Sequence, residues 1–203
     1  MNMSFPKPPV EARLHRRLGF GFVLGLAACG GGGEPVGTAA TAPSPPAAAA
    51  STPGSAAAST CGLGNFQASA LAKVNQYRAA GATCGTLAPF PSAAALSWNA
   101  LLTQAAEGHS QDMAAHDYFD HTGFDGRHFD QRITATSYQW RVVAENIAAG
   151  QTSIEQVMTE WMASEPHCAN IMDSRLTEIG LVCVAATGKD FPTYWTMDLG
   201  KPL

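Results

Sequence analysis

From Gly30 to Thr60 the chain carries one charge, Glu34, and one large apolar residue, Val36. Gly, Ala, Ser, Thr and Pro in such density cannot bury enough apolar surface to offset the entropy of ordering them. A folded core must therefore come from Cys61 to Leu203. That stretch falls in the commonest size range for a single domain and is long enough for a substantial core. The preceding stretch reads as a linker, flexible at Gly30–Gly33 and stiffer near Pro43, Pro45 and Pro46. Random-coil scaling gives it a mean reach of roughly 30 Å. No internal repeat is present.

Ahead of the linker, Arg13, His15, Arg16 and Arg17 precede an uncharged run, Leu18 to Ala28. A bilayer-spanning helix needs about 20 apolar residues, so this run is too short to span and has the form of a secretory signal peptide. It ends in Leu26-Ala27-Ala28-Cys29-Gly30, which resembles a bacterial lipobox. Residues 1–28 are read as the signal peptide and residues 29–60 as a lipidated Cys29 followed by the linker. The expected localisation is exported and membrane-anchored, on the periplasmic or cell-surface side, with the acyl chains holding the membrane. Removing the signal peptide takes away four of the twelve Lys and Arg residues and one of the sixteen acids, leaving eight bases against fifteen acids, a net −7. No basic footprint for nucleic acid is present. The domain is expected to be a monomer.

Four cysteines fall inside the folded part: Cys61, Cys84, Cys168 and Cys183. An even number in an exported chain reads as two disulfides. Three pairings are possible. The local one, Cys61–Cys84 with Cys168–Cys183, is preferred because each pair flanks a separate segment. No C-x-x-C occurs, so neither redox chemistry nor a zinc knuckle is indicated.

Phe66, Ala70, Val74 and Tyr77 recur at helical spacing and predict a helix over 65–79. A second helix is expected from Ser97 to about His116, with His109 on its apolar stripe, and a short third over Asp130 to Thr136. Ile154, Val157, Met158, Trp161 and Met162 define a fourth, capped by Ser153 and stopped by Pro166. Ile179 to Ala185, apolar on both faces, predicts a central strand. Thr193 to Leu199 alternates as a strand with one face buried does, and Arg141 to Val143 suggests a short third strand. Helices at both ends with strands between predict an α+β layered domain.

Polar side chains cluster in Tyr118–Gly126, in Ala144–Ala148 and in Trp161–Met172. The order Leu96-Ser97-Trp98-Asn99, YFDHTGFDG, AENIAAG, EWMASEPHCANIM and TEIGLVC resembles the bacterial branch of the CAP superfamily, which includes SCP-like extracellular, cysteine-rich secretory, antigen 5 and pathogenesis-related proteins. The resemblance implies a three-layer α-β-α sandwich. It also implies a cleft lined by His121, Glu145 and His167, with Glu165 as a further acid. Ala144 stands where the family usually has Gly, and Cys168 where bacterial relatives often have Arg.

Two imidazoles and a carboxylate suit zinc better than calcium or magnesium, so His121, Glu145 and His167 are the candidate ligands of a divalent metal. Their wide separation along the chain follows no local ligand rule such as H-E-x-x-H. The competing reading is a buried polar network that fixes loops. His109 and His116 are read as core residues rather than ligands. The aspartates from Asp112 to Asp130 lack the EF-hand pattern, and Ser164 lacks a nucleophile elbow. Two functions follow: an extracytoplasmic binding module for a lipid, cell-envelope component or protein, or a metal-dependent, peptidase-like hydrolase using the same cleft.

Overall fold

The computed structural model describes residues 59–203. The expected signal peptide, Cys29 and the linker to residue 58 lie outside the described residues.

Asn99 accepts the backbone N–H groups of Leu101 and Leu102 and so opens a 17-residue helix, Ala100–His116 (α2). Its N-terminal neighbour Ser97–Trp98 is a two-residue strand (β1), not the first turn of that helix. Before it lies α1, Phe66–Ala80. After it come α3, Phe129–Ala135, β2, Trp140–Ala149, and α4, Ile154–Ala163, capped by Ser153 as expected. Pro166 does more than end α4. It sits in the first turn of a further helix, α5, Glu165–Met172, where its missing N–H and fixed φ cost nothing. Two strands complete the order: β3, Glu178–Ala185, and β4, Thr193–Pro202.

The strands form one sheet in the order β1-β3-β4-β2. β1 runs parallel to β3, and the other pairs are antiparallel. One face carries α1, α4 and α5 over a core that includes Phe66, Trp161, Leu181, Trp195 and Met197. The opposite face carries α2 and α3 over Met113, Ile147, Val182 and Tyr194 and over Leu102, Ile133 and Tyr138. The result is the three-layer α-β-α sandwich.

Covering both faces changes two expectations. β4 is buried without break from Thr193 to Gly200, not on one side only. The short strand expected at Arg141–Val143 is the start of a ten-residue strand that continues through Ala144–Ala148. The layers are tight: a Cβ on Gly180 of β3 would lie 2.1 Å from the backbone nitrogen of Thr103 on α2. Only a glycine permits this approach of helix to sheet.

The cysteines pair across the chain, which overturns the local pairing. Cys61 bonds Cys183 and Cys84 bonds Cys168, at sequence separations of 122 and 84. The first pairing follows from the segment at Ser59–Cys61 running beside β3, where the Cys183 N–H donates to the Ser59 carbonyl and the Cys61 N–H to the Cys183 carbonyl, each at 3.0 Å. Ser59 and Thr60, expected to be linker, therefore belong to the sheet edge. The second bridge fastens the loop after α1 onto α5.

Candidate functional site

Glu145 lies on β2 on the side facing α2, and its side chain is fully buried. A buried carboxylate needs donors at both oxygens, and it has them. His121, in the loop after α2, donates Nδ1–H to Oε1 at 2.7 Å. Arg132 of α3 donates Nη2–H to Oε2 at 2.6 Å. The His121 side chain is 48% exposed, so this pair joins the interior to the surface.

The same guanidinium shapes the loop. Arg132 Nη1 donates to the carbonyls of His121 at 3.0 Å and Arg127 at 2.8 Å. Asp112 of α2 accepts Phe124 N–H at 2.8 Å and the Tyr118 hydroxyl. The cluster of loop acids expected from the sequence thus splits into working parts, with Asp112 anchoring the loop and Asp125 pairing with Arg127.

His167 reaches the site from the other layer. Asn146, fully buried beside Glu145 on β2, donates to the His167 carbonyl at 3.1 Å and accepts from Asn170 at 2.9 Å. Asn170 also donates to the Glu145 carbonyl at 3.2 Å. These bonds clamp the first turns of α5 to β2. Burial first, and then the nearby His121, hold the His167 imidazole below its usual pKa. His167 lines a groove of about 300 Å³ whose other walls include Phe119, Ile147, Trp161, Phe191 and Glu160.

Glu165 goes elsewhere. Its Oε2 accepts Thr86 N–H at 2.6 Å and the Thr86 hydroxyl at 2.7 Å, on the loop that Cys84 ties to α5. No hydrogen bond joins it to Glu145, His121 or His167.

Three residues that no motif marks extend the cluster inward. Asp198 on β4 pairs in register with Glu145 and is 1% exposed. Neither of its oxygens meets a donor among the described residues, and burial, then the charge of Glu145, hold its carboxyl well above the usual value. His109 is fully buried on α2, with Nε2–H donating to the Asp120 carbonyl at 3.0 Å and lying 4.0 Å from Glu145 Oε1. Burial keeps it neutral, and its Nδ1 has no partner among the described residues. Arg132 is the third. The sequence hints at two of them: His109 on the apolar stripe of its helix, and an Asp between the apolar residues Met197 and Leu199.

As a zinc site the residues do not fit. Glu145 has both oxygens occupied, and among the described residues no three His, Cys, Asp or Glu groups converge to hold an ion.

A double-sided sandwich in which a loop histidine bonds a buried glutamate of the edge strand defines a class of domain, and the comparisons name the family. The chain belongs to the cysteine-rich secretory protein family, CAP, matched over residues 71–199. It is 38% identical over 81 residues to the uncharacterised protein YkwD of Bacillus subtilis, covering 39% of this chain and 31% of that one. It is 27% identical over 88 residues to the uncharacterised membrane protein YlbC of the same organism, covering 43% and 25%. The chain thus spans about a third or less of the curated relatives it matches. Among solved structures it is similar to an extracellular SCP-domain protein of Bacillus anthracis (24% identity, TM-score 0.47, covering 54% of this chain and 34% of that one). It is also similar to an outer surface protein of Borrelia burgdorferi (21%, TM-score 0.49, covering 53% and 78%).

Proposed function

We propose that this chain is an exported, lipid-anchored binding module that holds an amphipathic cell-envelope ligand in the groove beside His167. The observation that carries the reading is the groove itself. Its walls are mostly apolar and include Phe119 and Phe191, 45% and 37% exposed. The His167 imidazole, which makes no hydrogen bond among the described residues, is one of its polar lining groups, with Gln151, Glu160 and Ser164. An apolar tail would displace water from the aromatic walls while a polar head meets the imidazole, the usual division of labour in a ligand pocket. Neither His121 nor His167 hydrogen-bonds a hydroxyl or thiol among the described residues, which supports binding over covalent catalysis.

Export fits the signal-peptide pattern, the lipobox-like Cys29 and the two disulfides. Among the described residues no helix is long and apolar enough to cross a membrane, so attachment would rest on the acylated cysteine. The ligand reading is tested by titrating a single-chain phospholipid while following thermal unfolding. The expected result is a rise in Tm that Phe119→Ser with Phe191→Ser abolishes; no rise at any lipid level sinks the proposal. The anchor is tested separately by radiolabelled palmitate, which should label the chain and fail to label Cys29→Ser.

A further inference from the structure

We infer that Arg132 is the resident cation of this cleft, holding the oxygen ligands that a divalent ion would otherwise take and leaving Glu145 no oxygen free for a metal. The inference does not rest on the binding-module reading, because neither Arg132, His121 nor Glu145 lines the groove beside His167.

The guanidinium contacts one carboxylate oxygen, Glu145 Oε2, and two backbone carbonyls, those of His121 and Arg127. A carboxylate with carbonyl oxygens is the donor set of a hard cation such as calcium. Here one planar cation satisfies all three acceptors through fixed N–H directions. The remaining Glu145 oxygen accepts from His121 Nδ1, so Glu145 orients that imidazole instead of acting as a ligand, in the manner of an outer-shell carboxylate. A zinc ion would then find two imidazoles, where structural sites use four protein ligands and catalytic sites three. Moving Arg132 aside is costly, because its side chain is 8% exposed and its charge compensates a carboxylate with no exposure at all. The Arg132 fork also ties both ends of residues 121–127 to β2, which is the organising role a bound ion plays in a loop.

The test uses the full chain with zinc chloride and calcium chloride as probes, read by calorimetry and thermal melting. The wild type should show no stoichiometric heat and no shift in Tm with either ion. One-to-one uptake of either ion by the wild type, lost in His121→Ala, overturns the inference. Charge compensation gives an independent arm. Arg132→Met should lower the folding equilibrium constant on the order of a hundredfold or more, because it strands the buried Glu145 charge. Adding Glu145→Gln should recover most of that loss, and should do so even if the single variant does not fold. A double variant no more stable than Arg132→Met, or a single variant as stable as wild type, overturns it. Failure of a lipid to bind would sink the binding-module reading and leave these outcomes unchanged.

Discussion

Asp198 and His109 give the cleft opposite responses to acid and base. An Asp in an unfolded chain ionises near about pH 4, whereas Asp198 keeps its proton far above that because burial and Glu145 oppose the charge. The folded state therefore binds more protons than the unfolded one above about pH 4, and stability declines as pH rises through that window. Asp198→Asn removes the ionisation while preserving shape. Its stability relative to wild type, from urea denaturation, should grow as pH rises above about 4; a difference that stays flat would show that the fold does not hold the Asp198 proton. For His109 the sign reverses. Its lowered pKa means that the unfolded state takes up a proton below about pH 6.5, so stability is lost on acidification through that value. In His109→Gln the acid limb should be shallower, although His167, also lowered, keeps part of it. His121 and Glu145 could be named from motif order. His109 could be placed in the core from its helical stripe, but its meeting with Arg132 and Asp198 could not be read, because α2, α3 and β4 bring the three together and no spacing in one element records the meeting.

Elements were legible where a single face met the core. Helix α1 begins one residue from its expected start, and α4 follows its apolar stripe. Legibility failed where both faces are covered. Glu145 and Asn146 look like loop residues in a strand that is short by hydrophobicity, yet each is satisfied by a different helical layer. Helix α5 was hidden because Pro166 marks a helix start as readily as a stop. The glycine of TEIGLVC had no role until α2 was seen to rest on it. Gly180→Ala must push the α2 backbone off β3, and a destabilisation of about 3 kcal/mol, the upper end for overpacking, is expected in chemical denaturation. Asn146→Ala should cost about 2–3 kcal/mol by removing the bonds that its side chain makes to the His167 carbonyl and the Asn170 amide. It should also move the imidazole resonances of His167 more than those of His109, since only α5 is released. Equal shifts at both rings would mean that Asn146 does not set the position of α5.

For the whole molecule, the decisive feature is that each disulfide closes a long stretch of the chain. Sequence proximity favoured short loops, but the sheet order places the segment at Ser59–Cys61 against β3 and the loop after α1 against α5. Sequence separations of 122 and 84 restrict the unfolded chain strongly, by about 4–5 kcal/mol for each bridge in the chain-entropy model. Together they approach the entire stability of an ordinary domain, about 5–15 kcal/mol. The fold should therefore depend on oxidation. With both bridges reduced and blocked, the domain is expected to lose cooperative unfolding at ordinary temperature, as seen by near-ultraviolet circular dichroism. The variants Cys61→Ser with Cys183→Ser and Cys84→Ser with Cys168→Ser should each retain a transition at lower denaturant. Peptide mapping without reductant should recover Cys61 joined to Cys183, never to Cys84. A reduced protein that melts within a few degrees of the oxidised one would show that the three packed layers suffice alone. In that case the cysteines would no longer argue for an oxidising compartment, and export would rest on the signal-peptide pattern and Cys29.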